Sequence, residues 1–252
     1  MKREEFHFEV CANSVESCLA AREGGADRVE LCAGMSEGGV TPSYGEIVQA
    51  RRLLADSCCR LHVIIRARGG DFCYCEMELE RMESDITMCK RLGVDGVVFG
   101  CLTPDGDVDI EANVRLLSAA RPMSVTFHRA FDRTRKPVEA MERLVSLGFD
   151  RILTSGCRAR AIEGVDLLAV LNKQSAGRIA LMAGSGVCEE NIREIYNRTD
   201  IHEYHFSARV EKQGLMKNYD SAVYMGKQGI DENLISVTSA DRVEATIARL
   251  LG

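Results

Sequence analysis

Short apolar runs alternate with longer amphipathic segments along the whole chain. Valine, isoleucine, leucine and phenylalanine dominate the short runs, which is typical of buried β-strands. The longer segments repeat apolar residues every three or four positions, as Leu79, Met82 and Ile86 do, and this spacing predicts helices. Eight strands are predicted, at Phe6–Cys11, Arg28–Cys32, Leu61–Arg66, Gly96–Cys101, Ser124–His128, Arg151–Ser155, Arg178–Ala183 and His202–Ser207.

One junction recurs between the predicted helices and strands. A glycine, a short polar turn and an apolar run appear in order at Gly25–Leu31, Gly93–Phe99 and Gly148–Leu153. We interpret each glycine as a left-handed helix end that is followed by a buried strand. Eight strand-then-helix units close a TIM-type (β/α)8 barrel, and a chain of 252 residues fits that fold. The sequence therefore predicts an α/β fold with a single-domain barrel over residues 1–252; an open doubly wound sheet has a similar pattern.

The segment after the predicted eighth strand, about residues 208–240, shows neither the strand nor the helix period. It contains Gly214, Gly226 and Gly229 among charged residues. We expect a long irregular connection here. Connections of this length commonly act as lids, as oligomer contacts or as disordered segments, and the pattern does not choose among these roles.

Composition and charge exclude several classes of protein. A formal net charge of -6 argues against a nucleic-acid partner, because phosphate backbones attract basic proteins. No apolar run approaches the roughly 18 residues of a membrane helix, and the N-terminus lacks the apolar core of a signal peptide. We therefore expect no membrane partner. The 11 cysteines then indicate reduced thiols in the cytoplasm rather than the disulfides of a secreted protein.

Two cysteines end neighbouring predicted strands in the same way, as Glu9-Val-Cys11 and Glu30-Leu-Cys32. Side chains alternate along a strand, so each cysteine shares a face with the glutamate before it. Adjacent strands lie about 4.8 Å apart, so two inward-facing sulfurs can hold one metal ion. Two thiolates with no imidazole nearby in the pattern favour a soft ion such as Cu(I). The alternative is that both cysteines are small buried apolar residues.

Arginines and a glycine-rich turn lie at other predicted strand ends, where barrels of this kind bind their ligands. Two arginines of matching parity after strand three offer forked donors to an anion. The glycine-rich turn after strand seven is followed by a predicted helix near Glu189, and such a turn commonly holds phosphate. The candidates for binding an anionic ligand are Arg66, Arg68, Arg129, Gly184, Ser185 and Gly186.

Four further residues near the strand ends are candidates for acid–base catalysis. His128 is of the residue type that titrates near neutral pH, and Glu9 or Glu30 gains the same capacity if burial raises its pKa. Asp132 follows His128 in the same loop. Alternatively, these carboxylates and the arginines only neutralise one another, because buried charges need partners. No reaction can be named from these residues.

Taken together, the motifs resemble the copper homeostasis protein family CutC. The resemblance covers nearly the whole chain, and several motifs are long and occur in order. They are Glu9–Cys11, Gly24–Cys32, Glu37–Ser43, Ile65–Tyr74, Val125–Asp132, Leu153–Gly156, Met182–Val187 and His205–Arg209. One departure is Ala67, where the family often has proline. The resemblance implies a TIM barrel, a cytoplasmic location and a homo-oligomer, and it places the family's copper-binding cysteines at Cys11 and Cys32.

Two hypotheses for function follow. The first is a copper homeostasis protein that binds Cu(I) through Cys11 and Cys32 at the mouth of the barrel, as a homodimer or homotetramer. The second is a TIM-barrel enzyme that acts on a small anionic metabolite carrying a phosphate or carboxylate. The sequence does not decide whether the chain has catalytic activity, or whether Cys101 or Cys157 joins a metal site.

Overall fold

Eight parallel strands form a closed barrel in which each strand pairs with the next and β8 pairs with β1. The computed structural model describes residues 1–218, 223, 225 and 230–252. The (β/α)8 prediction is confirmed, with strand ends that differ from the predicted ones by up to two residues. The strands are β1 His7–Ala12, β2 Arg28–Leu31, β3 Arg60–Ile64, β4 Gly96–Phe99, β5 Ser124–Phe127, β6 Arg151–Thr154, β7 Ala180–Gly184 and β8 Glu203–Phe206.

The described residues also form eight α-helices, one after each barrel strand. They are α1 Val15–Glu23, α2 Tyr44–Leu54, α3 Glu76–Arg91, α4 Ile110–Ala120, α5 Pro137–Leu147, α6 Val165–Ser175, α7 Ile192–Thr199 and α8 Ala240–Leu251. None of these described helices is long and apolar enough to cross a membrane.

Local sequence explains where these helices begin and end. Ser43 and Glu46 form a reciprocal capping box at the start of α2, so amide groups that have no partner within the helix are bonded. Gly25, Gly93 and Gly148 have φ values of +87°, +70° and +81°, as the repeated junction predicts. The glycine therefore lets the chain turn from a helix into the following strand without a steric penalty.

The outward face of the barrel is apolar and packs against the helices. Phe8 and Val10 on β1, and Val29 and Leu31 on β2, are all fully buried there. Because successive side chains point to opposite faces, the residues between them point into the barrel. Burial of this apolar ring stabilises the closed sheet by about 25 cal/mol for each Å² removed from water.

The inward face of the barrel carries ion pairs. Arg28 on β2 contacts Glu9 on β1, and its Nη2 lies 2.9 Å from a carboxylate oxygen of Glu203 on β8. Arg151 on β6 contacts the same Glu203 carboxylate. His62 on β3 lies beside Glu9, with its Nδ1 3.7 Å from the carboxylate. Ion pairs inside the barrel therefore link β1, β2, β6 and β8, and their charges neutralise one another.

The connection after β8 is more regular than the sequence predicts. Arg209–Gln213 (β9) and Leu234–Thr238 (β10) form an antiparallel two-stranded ribbon, so the expectation of an irregular segment over 208–240 is wrong for both of its ends. Few ribbon residues are buried, which explains why no alternating apolar pattern marks these strands. Gly214 follows β9, whereas Gly226 and Gly229 lie outside the described residues.

The base of this ribbon is fixed against the first βα unit. Asn13 donates from Nδ2 to the carbonyl of Ser236 at 2.7 Å. The amide of Thr238 donates to Ser17 Oγ on α1 at 3.1 Å. These bonds fix the end of β10 to α1 and the loop before it, and the start of β9 pairs with this end of β10.

Replacing Arg28 with methionine should lower the free energy of unfolding by about 3–5 kcal/mol. The substitution leaves the Glu9 charge buried without its arginine partner, which is the costly way to break a buried ion pair. Urea denaturation at neutral pH measures the loss. The matched control is Arg198→Met, which breaks an ion pair exposed at both partners and should cost less than about 1 kcal/mol. Equal losses in the two variants would contradict a stabilising interior network.

Candidate functional site

The carboxyl ends of the strands surround a cavity of about 300 Å³. Its wall combines thiols, a carboxylate, two imidazoles and arginines from β1, β2, β8, β9 and the loops after β3, β5 and β7. Those that matter most are Cys11, Glu30, Cys32, His128, His205 and Arg209. Barrels of this fold hold their ligands at this opening, which makes the cavity the candidate functional site.

Cys11 and Cys32 face each other in the cavity wall, with their sulfurs 3.9 Å apart. In the register of the first two strands Cys11 lies opposite Glu30, and the amide of Cys32 bonds to Ala12 one step further along. Both thiols are buried, at 8% and 1% exposure. The two Glu-x-Cys strand ends predicted that both sulfurs face into the barrel. The sulfurs do lie together there, and Ile64 packs against them.

The two thiols differ in acidity because each acts on the other. The hydrogen bond with Cys32 lowers the pKa of Cys11, and although burial opposes this, His205 and Arg209 add to the lowering. The same hydrogen bond raises the pKa of Cys32, together with burial and the charges of Cys11 and Glu30. Cys11 is therefore the sulfur that carries the thiolate when only one of the pair is ionised.

His205 places an imidazole beside these thiols, which the sequence analysis did not expect. Its Nδ1 lies 2.8 Å from Glu9 Oε1, and its Nε2 lies 3.4 Å from Glu30 Oε2. One potential metal-ligating atom from each of Cys11, Glu30 and His205 lies within 4.8 Å of the other two. In the sequence, His205 is two residues after Glu203, so both side chains point to the same face of β8, and this spacing could have marked His205 as facing inward. Its position beside Cys11 depends on barrel closure, which pairs β8 with β1.

The carboxylates around His205 have opposite pKa shifts. Burial raises the pKa of Glu9, but Arg28 and a hydrogen bond with His205 outweigh burial and hold that pKa well below its usual range. Burial raises the pKa of Glu30 to about 8, although the charge of His205 opposes the rise. Burial lowers the pKa of His205, but hydrogen bonds to Cys11 and Glu9 and the charges of Glu30 and Glu9 raise it overall. Glu9 is thus the ionised carboxylate of the pair, and Glu30 retains its proton at neutral pH.

Arg209 is a site residue that the sequence analysis missed. Its Nη2 lies 3.5 Å from Cys11 Sγ, and its side chain lines the cavity. The main chain at this point is held by Arg242, which donates from Nη1 to the Arg209 carbonyl at 2.8 Å. Arg209 is the last residue of the His205–Arg209 motif. The sequence analysis assigned it to an irregular connection beginning at about residue 208, and such a connection does not predict that its side chain lies beside the thiols.

The two arginines after β3 do not act as a pair. Arg66 lines the cavity, but it donates to the carbonyls of Glu37, Gly39 and Gly70, at 2.7, 2.9 and 2.8 Å. Arg68 turns away from the cavity and binds Glu78 on α3 at 2.6 Å. The expectation that Arg66 and Arg68 together present forked donors to one anion is therefore wrong. Backbone carbonyls accept from most of the Arg66 N–H groups, and Glu78 binds Arg68.

Arg129 and Asp132 pair with each other in a short turn after β5. Arg129 Nε lies 2.8 Å from Asp132 Oδ2. Asp132 also accepts from the hydroxyls of Thr154 and Ser155 and from the amide of Cys157. Its lone pairs are thus occupied by the strand-six loop, which makes Asp132 a structural anchor, while Arg129 lines the cavity.

His128 lies buried in the cavity wall, with 4% exposure. Its Nδ1 accepts from the amide of Ala130 at 3.3 Å, and its ring packs edge-on against Phe72. Burial, aided by the charge of Arg66, lowers the pKa of His128 to about 3. The ring is therefore neutral at pH 7, and because Nδ1 is an acceptor, the proton lies on Nε2.

The turn after β7 reaches the cavity but does not lead directly into a helix. Ser185 and Gly186 line the cavity with φ values of +80° and +68°. Gly184 has no room for a side chain, because a Cβ there would lie 2.4 Å from Leu153. Helix α7 begins only at Ile192, so the helix start predicted near Glu189 is wrong.

The other cysteines do not join the paired thiols. Cys101 is buried two residues after the end of β4, and Cys157 bonds through its amide to Asp132; neither side chain lines the cavity. Cys73 and Cys75 lie at the start of α3, more exposed than the pair at the mouth. All 11 cysteines are free thiols.

These features define a class of protein: a (β/α)8 barrel with a cationic cavity at its carboxyl mouth and two facing thiols in the wall. The model of the CutC family matches residues 6–210. The chain belongs to the CutC family, which confirms the resemblance seen in its motifs.

Individual relatives are similar over nearly their whole length. A CutC family protein of Bacteroides thetaiotaomicron is 55% identical over 244 residues, 96% of this chain and 97% of the relative. The human copper homeostasis protein cutC homolog is 44% identical over 239 residues, 94% of this chain and 86% of the relative. The crystal structure of CutC from Streptococcus agalactiae is 35% identical, with a TM-score of 0.77, covering 80% of this chain and 98% of that one.

Replacing His128 with asparagine should flatten the loss of stability in acid. Below about pH 6.5 the unfolded chain protonates His128 and the folded protein does not, so stability falls as the pH falls towards about 3. This contribution is about 1.4 kcal/mol per pH unit, and the variant should lack it. Urea denaturation between pH 7 and pH 4 measures the slope. The exposed Met77→Leu control should follow the wild type, and parallel slopes for all three proteins would contradict a buried neutral imidazole.

Proposed function

We propose that this protein binds Cu(I) through Cys11 and Cys32 at the mouth of the barrel and acts in copper homeostasis. Its membership of the CutC family supports this role, and so does the name of the human relative, which is a copper homeostasis protein homolog. Copper is the cargo in this proposal, so the relevant properties are how tightly the site holds the ion and how it releases it.

The observation that carries the proposal is the 3.9 Å separation of the two sulfurs. A metal–thiolate bond is about 2.3 Å long, so one ion can contact both sulfurs only when they are within roughly 4.6 Å of each other. The pair meets this condition without any movement of the strands. Thiolates are soft ligands that select Cu(I), and the buried apolar contact with Ile64 keeps water from competing.

The surrounding charges also suit a copper–dithiolate group. Two thiolates and one Cu(I) carry a net charge of about −1, and a buried negative charge needs a partner. Arg209 supplies a positive charge 3.5 Å from Cys11, and an imidazole nitrogen of His205 lies within 4.8 Å of the same sulfur. Because the pKa of Cys11 is lowered and that of Cys32 is raised, the proton that copper must displace is mainly the one on Cys32.

We place the protein in the cytoplasm and propose a homodimer or homotetramer. The 11 free thiols suit a reducing compartment, where copper is carried as Cu(I). The oligomeric state follows from the family resemblance alone.

The double variant Cys11→Ala/Cys32→Ala should lose the tight Cu(I) site. Titration of the fully reduced protein against a competing Cu(I) chelator should give one tight equivalent for the wild type. The variant should bind at least a hundredfold more weakly, because both soft ligands are gone. The matched control, Cys89→Ala/Cys101→Ala, removes two thiols that are equally buried but do not line the cavity, and should bind as the wild type does. Unchanged stoichiometry and affinity in the mouth variant would overturn the copper proposal.

A second candidate is an enzyme that acts on a small anionic metabolite at the same cavity. One observation favours it: Cys11, Glu30 and His205 bring a nucleophile and two proton donors within 4.8 Å of one another. The pKa of Glu30, raised by burial to about 8, is close to that of an efficient general acid at neutral pH. This candidate first requires that the cavity bind such a metabolite.

A further inference from the structure

Two arginines in the cavity wall have no carboxylate partner among the described residues. Among the described residues, the Arg66 side chain, at 5% exposure, donates hydrogen bonds only to backbone carbonyls, and the Arg209 side chain donates only to the sulfur of Cys11. Arg28, Arg129 and Arg151, by contrast, each contact a carboxylate. A guanidinium that is taken out of water needs a compensating negative charge. No described side chain therefore neutralises the charge of Arg66, and only the thiolate of Cys11 opposes that of Arg209.

Three buried N–H groups of residues in the same wall also lack a hydrogen-bond acceptor among the described residues. They are Arg66 Nε, Arg209 Nε and His128 Nε2. His128 is a donor at this atom because its Nδ1 already accepts from the amide of Ala130. Folded proteins rarely leave buried donors unbonded, so three around one cavity point to an acceptor that binds there.

The turn after β7 adds backbone donors to this set. The amides of Ser185 and Gly186 donate to no carbonyl in the part of the chain that the structure describes. Ser185 holds a φ of +80°, which an ordinary residue rarely adopts, and its hydroxyl is tied to the Ala159 carbonyl at 2.7 Å. Such strain gathers at binding sites. The loops after strands seven and eight of a barrel frequently hold phosphate.

The size of the cavity limits what can bind. A volume of about 300 Å³ corresponds to roughly ten waters at about 30 Å³ each. A ligand of about ten non-hydrogen atoms therefore fills it. Three side-chain donors and two amides make five donors, which exceeds the roughly four lone-pair sites of a carboxylate. The three terminal oxygens of a phosphate monoester offer about six such sites and can accept from all five donors.

We propose that the mouth of the barrel binds a small phosphate monoester, with its phosphate held by Arg66, His128, Arg209 and the Ser185–Gly186 turn. The remainder of the ligand extends towards Glu30 and His205. This inference rests on the second candidate function, for which it names the substrate class, and it does not require that the copper proposal be correct.

Isothermal titration of the reduced, copper-free protein with glycerol 3-phosphate, inorganic phosphate and glycerate at constant ionic strength tests the proposal. Glycerol 3-phosphate should bind saturably at one site per chain, at least tenfold more tightly than glycerate. Inorganic phosphate should compete for that site. The Cys11→Ser/Cys32→Ser variant should still bind the ester, so failure of the copper proposal and failure of this one give different results.

Variants of the donors identify the site. His128→Asn keeps an acceptor for the Ala130 amide but has no donor at the ε position, and should weaken ester binding at least tenfold. His128→Gln restores an ε N–H and should recover part of the affinity. Arg209→Gln should also weaken binding at least tenfold, whereas Arg198→Gln, in the last turn of α7 at the opposite end of the barrel, should not.

Three results would overturn the phosphate site: no saturable ester binding, glycerate bound as tightly as the ester, or wild-type affinity in both His128→Asn and Arg209→Gln. Ester binding that depends on His128 and Arg209, without turnover of any phosphorylated metabolite, would uphold the site and contradict the enzyme.

Discussion

The buried carboxylate of Glu9 connects the interior of the barrel to its mouth. On one side it contacts Arg28, which also binds Glu203 and so links β1, β2 and β8. On the other side it accepts from His205 at 2.8 Å, which fixes the imidazole beside Cys11. Because a buried charge is stable only with its partners in place, this one carboxylate couples barrel closure to the arrangement of the thiols.

This coupling explains why one cavity suits two kinds of ligand. The thiols of Cys11 and Cys32 form a small soft site on the side of β1 and β2. Arg66, His128 and the Ser185–Gly186 turn form a donor-rich wall contributed by β3, β5 and β7. Arg209 belongs to both, since it contacts Cys11 and also carries an N–H that bonds to no acceptor in the described part of the chain. A copper–dithiolate group would partly neutralise Arg209, so we expect copper and the anion to weaken each other's binding.

The sequence predicted the contacts that follow from alternation along one strand, and it missed the contacts that form only when the barrel closes. Strand parity brought Cys11 and Cys32 together correctly, because alternation needs no knowledge of distant residues. The contact of His205 with Glu9 joins residues 196 positions apart and exists only because β8 meets β1. Arg68 was assigned by parity to the mouth, but the chain leaves the strand before that residue and a carboxylate on α3 captures it. Which of several nearby acceptors an arginine binds depends on the path of the loop, and the periodicity of the sequence does not predict that path.

The central claim is that Cys11 and Cys32 act as one metal-binding pair at the mouth. Crystals of the reduced protein soaked with Cu(I), measured on both sides of the copper absorption edge, test it most directly. The account predicts one strong anomalous peak in contact with both sulfurs. A peak at Cys73, Cys75 or Cys188 instead, with the mouth thiols bound to nothing, would contradict it.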